Sequence, residues 1–165
     1  MGKDKEKDVK TNAMRILDKN KVPYTGQTYE CEEFIDGVHI ADMLGQSYDR
    51  SFKTLVAVGK SGNYYVYDIP VDRELDMKKA AKAVGEKSVE LIHVKDIYQI
   101  TGYIRGGCTP IGMKKNYPSV LHSSIMDHET VIISGGRLGS QIEITPADLV
   151  RVLRAKVADI TADTP

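Results

Sequence analysis

The run Phe52-Lys53-Thr54-Leu55-Val56-Ala57-Val58 is apolar on both faces except at its start. Continuous apolar character over so short a length, bounded by turn residues, reads as a buried strand. The cluster Lys60-Ser61-Gly62-Asn63 supplies the turn, and Tyr64-Tyr65-Val66-Tyr67-Asp68-Ile69 returns as a second strand that Pro70 ends. The chain therefore has to build around an antiparallel hairpin, one strand of which carries a lysine among apolar neighbours.

Helical signals flank this hairpin. Ala13, Met14, Ile16 and Leu17 share one side of a short helix beginning near Thr11 and stopped by Asn20, before the extended Val22-Pro23-Tyr24 and a strand through about Tyr29. Val38, Ile40, Ala41 and Leu44 predict a second helix stopped by Gly45. Met77, Ala80, Ala81 and Val84 follow the spacing i, i+3, i+4, i+7, with Asp72 and Glu74 toward the N-terminal end and Gly85 as the stop. Val89 to Ile92 reads as a short strand and Lys95 to Thr101 as a short helix ended by Gly102. Val131 to Ser134 and Gln141 to Ile144 form a second hairpin around the glycines of 135–139. Thr145 then caps a helix with Pro146 at its first position, expected to run to about Asp159. Helices interrupt strand pairs here, which predicts an α+β fold with a mixed or antiparallel sheet.

The 165 residues suit one domain, at roughly 100–200 residues per domain. The almost wholly charged start is expected to be a tail over 1–10, with a single domain over 11–165. That start is neither a secretory signal nor a myristoylation site, and no apolar run approaches the roughly 20 residues of a membrane span. A cytoplasmic protein without membrane contact is expected. Cys31 and Cys108 lack disulfide or zinc spacing, and none of His39, His93, His122 and His128 has metal-ligand spacing. No metal or other cofactor is implied. Lys+Arg 23 against Asp+Glu 23 gives zero formal charge, which argues against coating nucleic acid through bulk charge; DNA is not an expected partner, and a local basic surface from Lys114, Lys115, Arg151 and Arg154 stays open.

Lys53 is the sharpest local anomaly. Its amine either snorkels to solvent at the strand end or reaches a cleft or a carboxylate. The second anomaly is Gly106-Gly107-Cys108-Thr109-Pro110-Ile111-Gly112, whose glycines let backbone N–H groups come close to an anion or carbonyl oxygen. It is not a phosphate-binding P-loop, because Met113 stands where lysine is needed. Cys108 has no feature to lower its pKa, and the serines near His122 and His128 lack a nucleophile elbow. Tyr24, Tyr29, Tyr64, Tyr65 and Tyr67 read as strand-edge packing rather than a base-stacking platform.

Thr11-Asn12-Ala13 through Tyr29, Phe52-Lys53-Thr54-Leu55, Leu75 through Gly85, the Gly106–Gly112 loop and Ser134-Gly135-Gly136-Arg137 together resemble the YbaK family of bacterial Cys-tRNA(Pro) deacylases, over about Thr11 to Thr161. The resemblance implies a central mixed β-sheet or barrel with surrounding helices, related to the editing insertion domain of bacterial prolyl-tRNA synthetase. It implies a trans-editing enzyme that removes cysteine from tRNA(Pro) by substrate-thiol-assisted ester cleavage, with Cys-tRNA(Cys) as a second candidate substrate and prolyl-tRNA synthetase as partner.

The resemblance maps the catalytic positions onto Lys53 and Gly106. It maps substrate-binding positions onto Tyr29, Thr54, Gly107, Cys108, Thr109, Pro110, Ser134 and Gln141. Lys53 would hold the terminal phosphate or ribose of the charged tRNA, and the loop amides the ester carbonyl. Gln141 departs from an aspartate common among relatives, and His122 stands where relatives often carry an acid. Two other readings stand beside this one: an Ala- or Ser-tRNA deacylase of the same fold, and a non-catalytic module that binds tRNA or a synthetase.

Overall fold

The computed structural model describes residues 10–163, so the charged tail expected over 1–10 lies outside the described residues except for its last member. Helix α1 (Asn12–Lys19) begins at Thr11, whose hydroxyl accepts from the Met14 N–H, and buries Ala13, Met14 and Leu17. Strand β1 (Thr25–Thr28) follows, then α2 (Gly37–Leu44), capped by Asp36 and ended by Gly45 in the left-handed region at φ 66°. The central hairpin is β2 (Phe52–Gly59) and β3 (Tyr64–Pro70).

Helix α3 (Met77–Val84) is capped by Asp76, which accepts from the Lys79 N–H. Asp72 and Glu74 do not serve as its cap; they lie before it, on the approach to Lys53. Strand β4 (Val89–Leu91) precedes a 3-10 turn (Val94–Asp96) and the five-residue α4 (Ile97–Thr101), so the helix expected from Lys95 is broken at its start. Strand β5 (Ser119–His122) has no counterpart among the expected elements. The second hairpin, β6 (Val131–Ser134) and β7 (Ser140–Ile144), leads into α5 (Pro146–Leu153).

The expectation that this last helix reaches Asp159 is wrong. Arg154 turns into the left-handed region at φ 53°, and Lys156–Ala158 becomes β8. The reason is non-local: β8 pairs in parallel with β5, matching Val120 to Lys156 and His122 to Ala158, and so completes a ladder that no local helix pattern reveals.

Among the described residues the strands form two sheets, ordered β4-β2-β3-β5-β8 and β1-β7-β6. The larger is mixed: β2 runs antiparallel to β3 and β4, while β5 is parallel to β3 and β8. A parallel bridge between Ser51 and Ile132 ties the two sheets at the start of β2. Alternation along β2 sends Phe52 toward the cluster of Leu17, Leu121, Ile133, Ile142 and Leu149, drawn from both sheets and from α1 and α5. Leu55 and Ala57 point the other way, onto Tyr67, Ile69, Ala80, Ala81 and Ile160 under α3. Burying each such Leu, Ile or Phe contributes roughly 1.5–3 kcal/mol, and the two clusters together hold β2 and β3 fixed from both faces.

Candidate active site

β4 covers only the far half of β2, from Ala57 to Gly59, with one further bond from the Ile92 N–H to the Val56 carbonyl at 3.0 Å. The near half therefore has one open edge. A cavity of about 660 Å3 lies along it, with Phe52, Lys53, Thr54, Leu55 and Val56 in its wall. Ser51–Val71 and Gly59–Asn63 mark the hydrogen-bonded pairs of the hairpin, with N–H to O distances of 2.9 and 2.8 Å. Alternation of an antiparallel ladder then turns the N–H and C=O of Thr54 away from β3, toward the open edge.

Lys53 and Thr54 present opposite faces to this cavity. Lys53 is partly buried, and burial pushes its amine below the usual lysine range; Glu74, Asp72 and Asp36, in that order, counter the shift. Among the described residues it has no ion-pair partner. It is thus a cation held near carboxylates without being neutralised by contact, which leaves its hydrogen-bond donors for a ligand. Of the two outcomes open for this lysine, the structure selects the cleft.

On the other face, Thr54 Oγ1 donates to Asp68 Oδ1 at 2.6 Å. Cys108 reaches the same wall from the glycine-rich loop. Its thiol is pushed up to about 12, by burial first and by the nearby Asp68 charge second, so at neutral pH it is a neutral thiol and not a thiolate nucleophile.

Gly106 lines the cavity with φ 86°. A Cβ there would stand 2.8 Å from Leu138 Cδ2 and 3.0 Å from Phe34 Cδ1, so glycine is needed both for the backbone turn and for the width of the mouth. Among the described residues the N–H groups of Gly106 and Cys108 donate to no protein acceptor, whereas Gly107 N–H is used internally, to Ile104 O at 3.0 Å. Two loop amides beside the cavity are thus unspent.

Tyr29, Ser134 and Gln141 also line the cavity. The Tyr29 N–H donates to Gly139 O at 2.9 Å, which pins it beside the β6–β7 turn. Ser134 Oγ accepts from the Gly136 N–H at 3.1 Å. Gln141 is buried, and its Oε1 accepts from Gln46 Nε2 at 2.7 Å and from Gln27 Nε2. Its Nε2 donates back to Gln46 Oε1 at 3.2 Å. Where relatives were expected to carry an acid, this chain has a neutral amide cluster.

Gly107, Thr109 and Pro110 are not in the cavity wall. Gly107 packs on the backbone of Arg137, 2.8 Å from where its Cβ would be, and Thr109 and Pro110 are buried behind the loop. They shape the loop from outside that wall. His122 is not in the cavity wall either: its ring accepts from the Ile160 N–H at 3.2 Å and its pKa is lowered by burial.

The structure adds residues that sequence reasoning passed over. Asp36 caps α2 and at the same time holds His39, whose Nδ1 lies 2.8 and 2.9 Å from the two carboxylate oxygens; both residues line the cavity. Arg105 stacks over Phe34, 3.9 Å from the ring centroid, at the mouth. Asp36 directly before the second predicted helix was a readable cap signal. Nothing local pointed to the Phe34–Arg105 pair.

A family model described as the aminoacyl-tRNA editing domain matches residues 36–152. EbsC of Enterococcus faecalis, a proposed Cys-tRNA(Pro)/Cys-tRNA(Cys) deacylase, is 43% identical over 158 residues, covering 95% of this chain and 96% of that protein. The chain belongs to the aminoacyl-tRNA editing domain family.

The chain is also similar to a stretch of a larger protein: a proline–tRNA ligase of Fervidobacterium nodosum is 29% identical over 106 residues, 57% of this chain but 18% of the ligase. In fold, the chain is similar to the crystal structure of hypothetical protein APE2540, with TM-score 0.83 at 24% identity over 90% of this chain and 97% of that one. It is also similar to that of a proposed trans-editing enzyme for prolyl tRNA synthetase, with TM-score 0.77 at 22% identity over 94% and 100%. The editing-domain fold expected from the sequence is the fold observed. No helix among the described residues is long and apolar enough to cross a membrane.

Proposed function

We propose that this editing domain is a trans-acting deacylase that releases cysteine from Cys-tRNA(Pro), and from Cys-tRNA(Cys) as well, with prolyl-tRNA synthetase as the partner that presents the charged tRNA. The observation that carries this reading is the near full-length match to EbsC, 43% identical over 95% of the chain. The cavity supports it chemically. Leu55, Val56 and Ile92 offer an apolar wall for a small aminoacyl side chain, Lys53 an amine with no ion-pair partner among the described residues, and the Gly106 and Cys108 amides two donors.

In this reading Lys53 binds the anionic or hydroxyl oxygens at the 3′ end of the tRNA, and the loop amides face the ester carbonyl oxygen where negative charge develops. The substrate thiol attacks that carbonyl carbon. The carbon–oxygen bond to the ribose then breaks, a thiolactone of cysteine leaves, and the ribose oxygen recovers the proton. Holding thiol and ester in one cavity supplies the proximity such an intramolecular step requires.

The test is the single-turnover release of amino acid from Cys-tRNA(Pro), Ala-tRNA(Pro) and Pro-tRNA(Pro) by the wild type and by Lys53→Ala. Release of cysteine alone, abolished by Lys53→Ala, is the expected result. Equal release of alanine would overturn the thiol-assisted route, and no release with intact tRNA binding would make the chain a binding module.

A further inference from the structure

Asp68 stands directly opposite Thr54 in the β2–β3 register. It has 0% of its surface exposed, in the middle of the five-stranded sheet. Its Oδ1 takes the 2.6 Å hydrogen bond from Thr54, and its Oδ2 has no hydrogen-bond partner among the described residues. Most buried polar atoms are paired, because an unpaired buried acceptor is costly, so the free Oδ2 calls for an explanation. The groups facing it are Thr54 from β2, Leu121 from β5 in parallel register, and Cys108 from the glycine-rich loop; no cation among the described residues acts on it. Lys53 lies on the opposite face of the strand.

The proposed reaction needs a place for the thiol proton, since an unperturbed thiol with pKa about 8.5 is only a few per cent ionised at neutral pH. Cys108 cannot take that proton, being a neutral thiol itself. Building on the deacylase reading above, we propose that Asp68 is the proton acceptor of this cavity, reached through the hydroxyl of Thr54. The substrate S–H proton passes to Thr54 Oγ1 as the Thr54 proton moves to Asp68 Oδ1. The thiolate sulfur then bonds to the ester carbonyl carbon, the bond to the ribose oxygen breaks, and that oxygen takes the proton back along the same path. Burial pushes the Asp68 carboxyl up to about 7, which suits a group that must accept and return a proton near neutral pH.

The experiment compares wild type, Asp68→Asn, Thr54→Val and Thr54→Ser in single-turnover deacylation of Cys-tRNA(Pro) across the pH range, with Cys-tRNA(Pro) binding measured separately. Asp68→Asn keeps the volume and an acceptor for Thr54 while removing the base. The expected result is a rate loss of about 10²-fold or more at unchanged tRNA affinity, with the acidic limb of the wild-type pH profile gone. Thr54→Val should lose a similar factor and Thr54→Ser should restore it. An Asp68→Asn enzyme with the wild-type rate and profile overturns the inference and leaves the deacylase reading intact. If Asp68→Asn does not fold, the threonine pair decides: equal rates and profiles for Thr54→Val and Thr54→Ser overturn it. Absence of turnover by the wild type overturns both readings together.

Discussion

Lys53 and Thr54 are neighbours in the chain and opposites in environment. The face of β2 that bears Lys53 looks toward Asp36, Asp72 and Glu74, exposed residues whose charges counter the pull of burial on its amine. The face that bears Thr54 looks into the sheet at Asp68, where no counter-charge acts and burial favours the neutral acid. One strand thus offers a fixed cation on one side and a proton-exchanging group on the other, separated by a single peptide unit. The lesson is that strand alternation partitions a site electrostatically: two side chains at the same edge can sit in media of different polarity.

The largest effect that separates the faces is the pH dependence of stability. The Asp68 carboxyl lies at about 7 when folded against an ordinary 3.8. Its contribution is fully present below about pH 4 and is lost as pH rises toward about 7, because the folded state holds the proton longer. Three pH units at 1.36 kcal/mol each set an upper scale of about 4 kcal/mol. Denaturant unfolding of wild type and Asp68→Asn at about pH 5 and about pH 8 checks this. A wild-type loss toward high pH that survives in the variant would break the contrast.

Next in size is Lys53→Ala. With no ion pair to lose, its stability should change little, while deacylation falls about 10²–10³-fold, the usual scale for one transition-state donor. Thermal unfolding alongside single-turnover rates tests the separation; a large stability loss with preserved turnover would place the lysine in the fold and not the chemistry.

Gly106→Ala should cost roughly 1–3 kcal/mol of stability, from a left-handed backbone and the close Leu138 contact, and should narrow the mouth that serves both faces. The expected kinetic signature is a raised KM for Cys-tRNA(Pro). The smallest effect is expected for Phe34→Ala: removing the Arg105 stacking partner should change binding by about 0.5–1 kcal/mol and leave kcat alone. A fall in kcat would move this pair from the rim into the reacting centre.

Much of this was legible locally. The caps Thr11 and Thr145, the stops Gly45, Gly85 and Gly102, and both hairpins stand where turn and capping chemistry place them. Lys53 and Gly106 were visible because each contradicts its surroundings, a cation in an apolar strand and glycines in a row. Asp68 carries the same kind of contradiction, an acid between Tyr67 and Ile69, and is legible on the same ground as Lys53. β5 was invisible for a different reason: Ser119-Val120-Leu121-His122 has two central apolar residues and polar ends, and only its pairing with β3 and β8 makes it a strand. The end of α5 failed similarly, since the edge of β5 draws Lys156–Ala158 into the sheet.

By itself, the sequence determined what depends on neighbouring residues: helix ends, turn positions, the buried hairpin and the two chemical anomalies. Their periodicities of two and of three to four residues are written along the chain. Tertiary structure decided what depends on distant segments meeting. It ran β5 parallel between β3 and β8, left the near edge of β2 open to a cavity, and set Gln141 among Gln27 and Gln46. Above all it closed the sheet over Asp68, because the dielectric around a side chain is set by everything packed on it, and that is a property of no single stretch of sequence.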